Sequence, residues 1–225
     1  MNNREDKIIL QKLAFFLFFF IYYNICFLIF TIKMYTVLIY QIYIIIYFLT
    51  LFLDTMLRPI AHKDEKFDKY SLIILILFIL APFMLILSYI ENMFFIATYV
   101  SIWNSINISY IGIIIYIIAV ITLLTSRINL GRFATGDLVI EDNHKLITSG
   151  IYKYIRHPIY LGTLLGVLGF GLVYRALFVP ILCFIMYFLV FRQRMIYEEK
   201  ILENEFGGEY TAYKKGTKKL IPFLY

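Results

Sequence analysis

Charge is scarce in this sequence: Asp, Glu, Lys and Arg make up only 16% of its 225 residues, against about 25% in soluble domains. Hydrophobic residues make up 62% and the mean hydropathy is +0.81. Together these exclude a water-soluble fold, because a single core rarely grows past about 250–300 residues and still needs a polar shell. No such shell is available between residues 8 and 53. Cysteine is nearly absent. Cys26 and Cys183 each lie inside an apolar run and are not spaced as CxxC, which leaves a disulfide framework and a zinc site without support. No GxGxxG follows a strand-like run, so a Rossmann-type cofactor site is excluded. Internal repeats, a Pro-rich linker and low-complexity polar tracts are also missing. The N-terminal apolar stretch has no small-residue cleavage site and runs on past Ile21, so it is expected to be a retained first anchor.

What the chain does have is apolar length. Six segments meet or approach the roughly 20 residues that cross a bilayer core: about 8–32, 34–53, 70–90, 106–125, 159–174 and 177–191. The last two are short. The fifth carries Gly162 and Gly166 at GxxxG spacing, with Gly169 and Gly171 beyond, which permits close helix contact and predicts a tight hairpin with its neighbour. Lys and Arg accumulate on the cytoplasmic side of membrane proteins. With the N-terminus inside, 19 of the 21 Lys and Arg fall on inside segments, leaving only Lys33 and Arg175 outside. The expected architecture is an all-α, polytopic integral membrane bundle of about six spans with both termini cytoplasmic. The net charge of +6 then reflects topology and attraction to anionic lipid, not nucleic-acid binding. Residues 1–105 read as a transmembrane scaffold, and residues 106–225 hold nearly all the unusual polar sequence.

Two polar clusters stand out in that second part. Between spans four and five lie about 37 residues, SRINLGRFATGDLVIEDNHKLITSGIYKYIRHPIYLG, and a connection of that length usually has a function. Val139-Ile140 and Lys145–Thr148 read as short extended pieces before the turn signal Ser149-Gly150. Pro158 suits the first turn of a helix, which puts Arg156 and His157 at the mouth of span five. The second cluster follows span six, where Arg194 and Glu198 are four apart and share a helical face, and Glu199 and Glu203 share a neighbouring one. Gly207-Gly208 is expected to stop that helix, after which the Lys-rich tail lies on the membrane surface. Taken singly, each residue has an ordinary structural explanation: a helix cap for His157, snorkelling anchors for Arg192 and Arg194, an i,i+4 pair for Glu198, an interfacial belt for Tyr152, Tyr154 and Tyr160. His62 has no clustered partner.

The order and spacing of the blocks carry more. HKLITSGIYKYIRHPIYLG, followed about forty residues later by RxxxEE and then FGxxYxxY, resembles the isoprenylcysteine carboxyl methyltransferase family and the related phospholipid methyltransferases, over roughly residues 127–222. The resemblance implies S-adenosylmethionine as cofactor. It implies that His144, Lys145, Leu146 and Ile147 line the cofactor pocket, and that Tyr152, His157, Pro158, Ile159, Tyr160 and Glu198 contact the cofactor. Arg194 is implied to face the substrate, and Arg194 and His157 to be the catalytic pair. Asp137 stands where eukaryotic members have a Gln contact, and is left out of the site. The cytoplasmic loop and the amphipathic helix after span six together form the expected pocket.

S-adenosylmethionine carries a sulfonium, an amino group and a carboxylate, so its site needs both signs of charge and an apolar wall. Glu198 is suited to the amino group, and Arg156, His157 or loop N–H groups to the carboxylate. The expected acceptor is a lipidic or prenylated small molecule or peptide, methylated on a carboxylate that needs no base at pH 7. Two rivals remain open at this point. In phospholipid N-methylation, Glu198 or His157 would act as base. A membrane sterol reductase using NADPH has a similar RHPxY block, but Ile159, Thr163 and the FGxxY form depart from its usual pattern.

Overall fold

The computed structural model describes residues 45–47, 49–50, 53, 73, 84, 87–88, 90–96, 105–133 and 145–221. The expected spans at 8–32, 34–53 and 70–90, together with His62, Asp137 and His144, lie outside the described residues apart from isolated positions. Helix α1, Ile106–Leu130, starts where Ser105 accepts the Asn107 N–H at 3.3 Å and ends at Gly131, whose N–H returns to the Arg127 carbonyl. Its 25 residues, at about 1.5 Å each, exceed the roughly 30 Å hydrocarbon thickness. Helix α2, Pro158–Val173, opens with Pro158 in its first turn, where a missing N–H costs nothing. Helix α3, Phe178–Gly216, runs for 39 residues. The described residues form helices and turns, with one isolated bridge and no strand. α1 and α3 are long and apolar enough to cross a membrane; α2 is shorter. Ile111, Ile114, Ile118 and Ile121 on α1, and Ile181, Leu182, Ile185 and Leu189 on α3, are exposed. Apolar faces of that extent suit lipid rather than water.

The glycine-rich face of α2 meets α1, its main packing partner among the described elements. A Cβ at Gly112 would lie 2.4 Å from the Val173 nitrogen and 2.8 Å from the Gly169 oxygen, and one at Gly169 would lie 2.8 Å from the Tyr116 nitrogen. Backbone therefore meets backbone across the seam, as small residues permit. Ser109 locks its outer end, donating from Oγ to the Val173 carbonyl at 2.9 Å. The sequence pattern pointed this seam at the following helix, but the preceding helix α1 takes most of it. The expected hairpin does form: a Cβ at Gly171 would lie 2.2 Å from Pro180 Cγ, which binds the base of α3 to the end of α2.

Glu91 closes this end of the bundle. Its carboxylate accepts the N–H groups of Leu177, Phe178 and Val179 at 2.7, 2.7 and 2.8 Å, so a buried acid satisfies donors that the first turn of α3 leaves unpaired. Asn92 adds a bond from Nδ2 to the Arg175 carbonyl at 3.2 Å. At the opposite end, Leu164, Tyr187, Phe191 and Met195 of α2 and α3 share one core with Leu220 from the tail. Gly207 has φ 50° inside α3, a conformation that side chains resist. It breaks the helix where the sequence predicted a stop, but a second helical stretch follows and turns Lys214 back toward Glu203, Nζ to Oε1 at 2.8 Å.

The seam predicts an asymmetry between glycines. Gly112→Ala is expected to destabilise the purified protein in detergent by about 1–3 kcal/mol, the usual cost of overpacking. Gly208→Ala, where nothing lies within 4 Å of an added Cβ, is expected to unfold with the wild type. Thermal unfolding in one micelle preparation compares the two.

Candidate active site

The site forms where the second helical stretch and the tail return to the start of α2. Gly216 ends α3 and Thr217 is extended, with φ −129° and ψ 157°. The chain then runs parallel to residues 154–157. Arg156 donates its N–H to the Lys218 carbonyl at 2.8 Å, His157 to the Lys219 carbonyl at 3.1 Å, and Lys218 to the Tyr154 carbonyl at 3.2 Å. Residues 217–219 of the tail are thus tied into the site.

At the centre sits Glu199, a carboxylate whose side chain is 5% exposed. Its Oε1 accepts from Arg156 Nε at 2.9 Å and lies 3.3 Å from His157 Nε2; its Oε2 lies 3.0 Å from Lys219 Nζ and 3.6 Å from Lys214 Nζ. Burial alone pushes this carboxyl up, but hydrogen bonds from His157, Lys219 and Arg156 outweigh it and hold the group well below the usual carboxylate range. Arg156 also gives Nη1 to the Lys214 carbonyl at 3.2 Å and to the Thr217 carbonyl. Its Nε and Nη1 are therefore committed within the protein, which removes them from the cofactor-carboxylate role that the sequence reading left open.

Glu198 is the accessible member of the acid pair, with a side chain 28% exposed. Its Oε2 accepts from the Tyr160 hydroxyl at 2.8 Å and lies 3.7 Å from His157 Nδ1. His157 caps α2 without a side-chain cap bond, which leaves its ring between the two carboxylates. Tyr160 stacks on that ring at 5.6 Å and on Phe191 at 4.7 Å, a continuous aromatic wall beside Glu198. Arg194, one turn before Glu198, is buried and lies beside the Tyr160 hydroxyl.

The structure thus brings His157, Tyr160, Glu198 and Arg194 together, with Pro158 and Ile159 in the first turn of α2. Tyr152 is buried next to them, its carbonyl accepting from the Tyr213 hydroxyl at 2.7 Å. Burial pushes the Tyr213 phenol up to about 12, so it stays a donor at neutral pH. Lys145, Leu146 and Ile147 run without regular structure into the Ser149–Lys153 turn, and among the described contacts none joins them to the cluster. Glu199, Lys214, Lys219 and Tyr213 were missed as site residues. The doubled acid at 198–199 was a signal for the first. Nothing local marked the lysines, which arrive only through the break at Gly207.

The phospholipid methyltransferase family profile matches residues 108–209, from α1 through the break in α3. The chain is 30% identical over 165 residues to protein-S-isoprenylcysteine O-methyltransferase B of Arabidopsis thaliana, covering 72% of this chain and 82% of that protein. It is 32% identical over 119 residues to a probable protein-S-isoprenylcysteine O-methyltransferase of Oryza sativa subsp. indica, covering 52% of this chain and spanning 62% of that relative's length. The chain therefore belongs to the protein-S-isoprenylcysteine O-methyltransferase family, which makes it an integral membrane protein. A solved structure of a eukaryotic intramembrane Ras methyltransferase, isoprenylcysteine carboxyl methyltransferase, matches with a TM-score of 0.60 at 17% identity, covering 100% of this chain and 88% of that one. The two share a fold.

Glu199→Gln leaves Arg156 buried against a neutral group and is expected to cost about 3–5 kcal/mol at pH 7. A carboxyl held low in the folded state stabilises above the free-Glu value of about 4.3 and loses that contribution as pH falls through the folded value. Unfolding curves of wild type and variant, recorded from pH 7 downward, are expected to differ most at neutral pH and converge in acid.

Proposed function

We propose that this protein transfers a methyl group from S-adenosylmethionine to the carboxylate of an isoprenylcysteine-type acceptor at the membrane surface. The observation that carries this reading is one accessible carboxylate, Glu198, set against an aromatic wall one turn from the buried Arg194, where apolar α3 becomes polar. The family relationship supports it, since the Arabidopsis and rice relatives are named for this reaction.

The residues present fit the cofactor. Glu198 offers a negative charge to an amino group, with His157 and Tyr160 fixing its orientation, and the Tyr160 and Phe191 rings offer apolar surface to adenine. We assign Lys145, Leu146, Ile147 and the neighbouring His144 to the same pocket, with Tyr152, Pro158 and Ile159 as its floor. When bound, S-adenosylmethionine supplies a methyl on a sulfonium, an excellent leaving group. The acceptor carboxylate is already ionised at neutral pH, with a pKa of roughly 3.3–3.7, so no residue has to act as base. Arg194 is suited to hold that carboxylate in a fork of two hydrogen bonds, which is a proximity effect. His157 orients Glu198. In phospholipid N-methylation, which the matched family profile also favours, His157 or Glu198 would instead accept a proton from the amine.

The same reading extends to architecture. Residues 106–225 would form the catalytic region and residues 1–105 the scaffold, in a multi-pass arrangement of about six spans. Glu91 and Arg175 flank one end of the bundle while Arg156, Lys214 and Lys219 gather at the other, which supports cytoplasmic termini by the positive-inside rule. The prenyl chain would enter from lipid beside the exposed faces of α1 and α3.

Calorimetry with S-adenosylhomocysteine on the detergent-purified protein tests the assignment. Wild type is expected to bind saturably, and Glu198→Ala and His157→Ala to lose binding. Binding of NADPH instead would move the protein to the reductase class. Arg194→Ala is expected to bind the cofactor product normally yet to lose most turnover of an S-prenylated N-acetylcysteine; turnover equal to wild type would remove its acceptor role.

A further inference from the structure

One residue touches the His157–Glu199 pair twice. The Lys219 carbonyl accepts the His157 main-chain N–H at 3.1 Å, and its Nζ lies 3.0 Å from Glu199 Oε2, while the other oxygen of that carboxylate lies 3.3 Å from the His157 ring at Nε2. The contacts close a loop: His157 backbone to Lys219 backbone, Lys219 side chain to Glu199, and Glu199 back to the His157 ring. The far edge of the same ring faces Glu198. The tail that carries Lys219 is fixed at both flanks. Arg156 binds the Thr217 carbonyl on one side, and Leu220, 2% exposed, enters the α2–α3 core on the other. The Lys219 side chain is 17% exposed, so its ammonium is drawn inward where surface lysines usually point to water.

We propose that Lys219 is a positioning residue for the cofactor site, holding Glu199 so that the His157 ring, and through it Glu198, keeps the orientation that receives the methyl donor. The reason lies in competition for Glu199 Oε1, which Arg156 and His157 share. A guanidinium matches a carboxylate with two parallel bonds whenever the carboxylate is free to turn. Lys219, anchored on Oε2, prevents that turn. Without it, Glu199 rotates onto Arg156 and the His157 ring loses its fixed partner. Lys214 is a weaker substitute at 3.6 Å, more than a third exposed and already bound to Glu203. The proposal rests on the methyltransferase reading above and adds to it a residue from the far end of the chain.

Two readouts on the full-length protein in detergent test it. The first needs no cofactor: histidine-selective ¹⁵N NMR of a chain with three histidines, the His157 ring signal being assigned by its absence in His157→Gln. Lys219→Ala is expected to shift that signal and Lys219→Arg to restore it, since arginine keeps the charge on Oε2. The second is S-adenosylhomocysteine affinity. Lys219→Ala is expected to weaken it roughly tenfold or more, the size seen when a group supporting a ligand-holding residue is removed. Lys219→Arg and Lys218→Ala, which removes an exposed side chain from the same tail, are expected to stay within about twofold of wild type. An unshifted ring signal, unchanged affinity in Lys219→Ala, failed rescue by arginine, or an equal loss in Lys218→Ala each overturns the proposal. A Lys219-dependent ring signal in a wild type that binds no S-adenosylhomocysteine would sink the methyltransferase reading and the role of Lys219 in it.

Discussion

A buried carboxylate has to be paired on every lone pair it presents, and Glu199 draws its partners from three separate stretches of chain: Arg156 and His157 before α2, Lys214 at the end of α3, and Lys219 in the tail. Arg156 and Glu199 are both buried, and removing one of that pair would strand the other's charge in a low-dielectric site, at a cost of several kcal/mol. The second helical stretch, the extended Thr217 and the parallel pairing of the tail with residues 154–157 are the geometry that lets all four reach one acid. Glu199 therefore organises the polar end of the bundle much as the glycine seam organises its apolar middle.

The division of labour between the two adjacent acids follows from burial. Glu199 is surrounded by cations and withdrawn from solvent, whereas Glu198 keeps more than a quarter of its side-chain exposure and is oriented by a tyrosine hydroxyl and a histidine edge. One serves as an internal counter-ion, the other keeps an accessible face. His157 links them, and its ring is available because its side chain makes no cap bond to the first turn of α2.

The membrane supplies the other half of the arrangement. α1 and α3 present isoleucine and leucine outward while α2 presents glycine inward, so helix association here depends on close backbone contact more than on apolar burial. The opposite end is closed by Glu91 on the first N–H groups of α3. The 16-residue α2 is held at both ends by polar contacts made by its neighbours.

Composition and local pattern alone determined the membrane character, the apolar segments at about 106–125, 159–174 and 177–191, the proline-started α2 and an interruption of α3 at Gly207-Gly208. These depend on interactions within a few residues, or on the lipid as solvent. The resemblance carried by the ordered blocks also marked His157, Tyr160, Arg194 and Glu198. Tertiary structure alone decided which acid is buried and which is accessible. It also turned the glycine seam toward α1, committed Arg156 to Glu199 and folded the lysine-rich tail into the site. Those outcomes depend on partners up to 64 residues apart in the chain, brought together by packing, and no periodicity or spacing encodes such pairings.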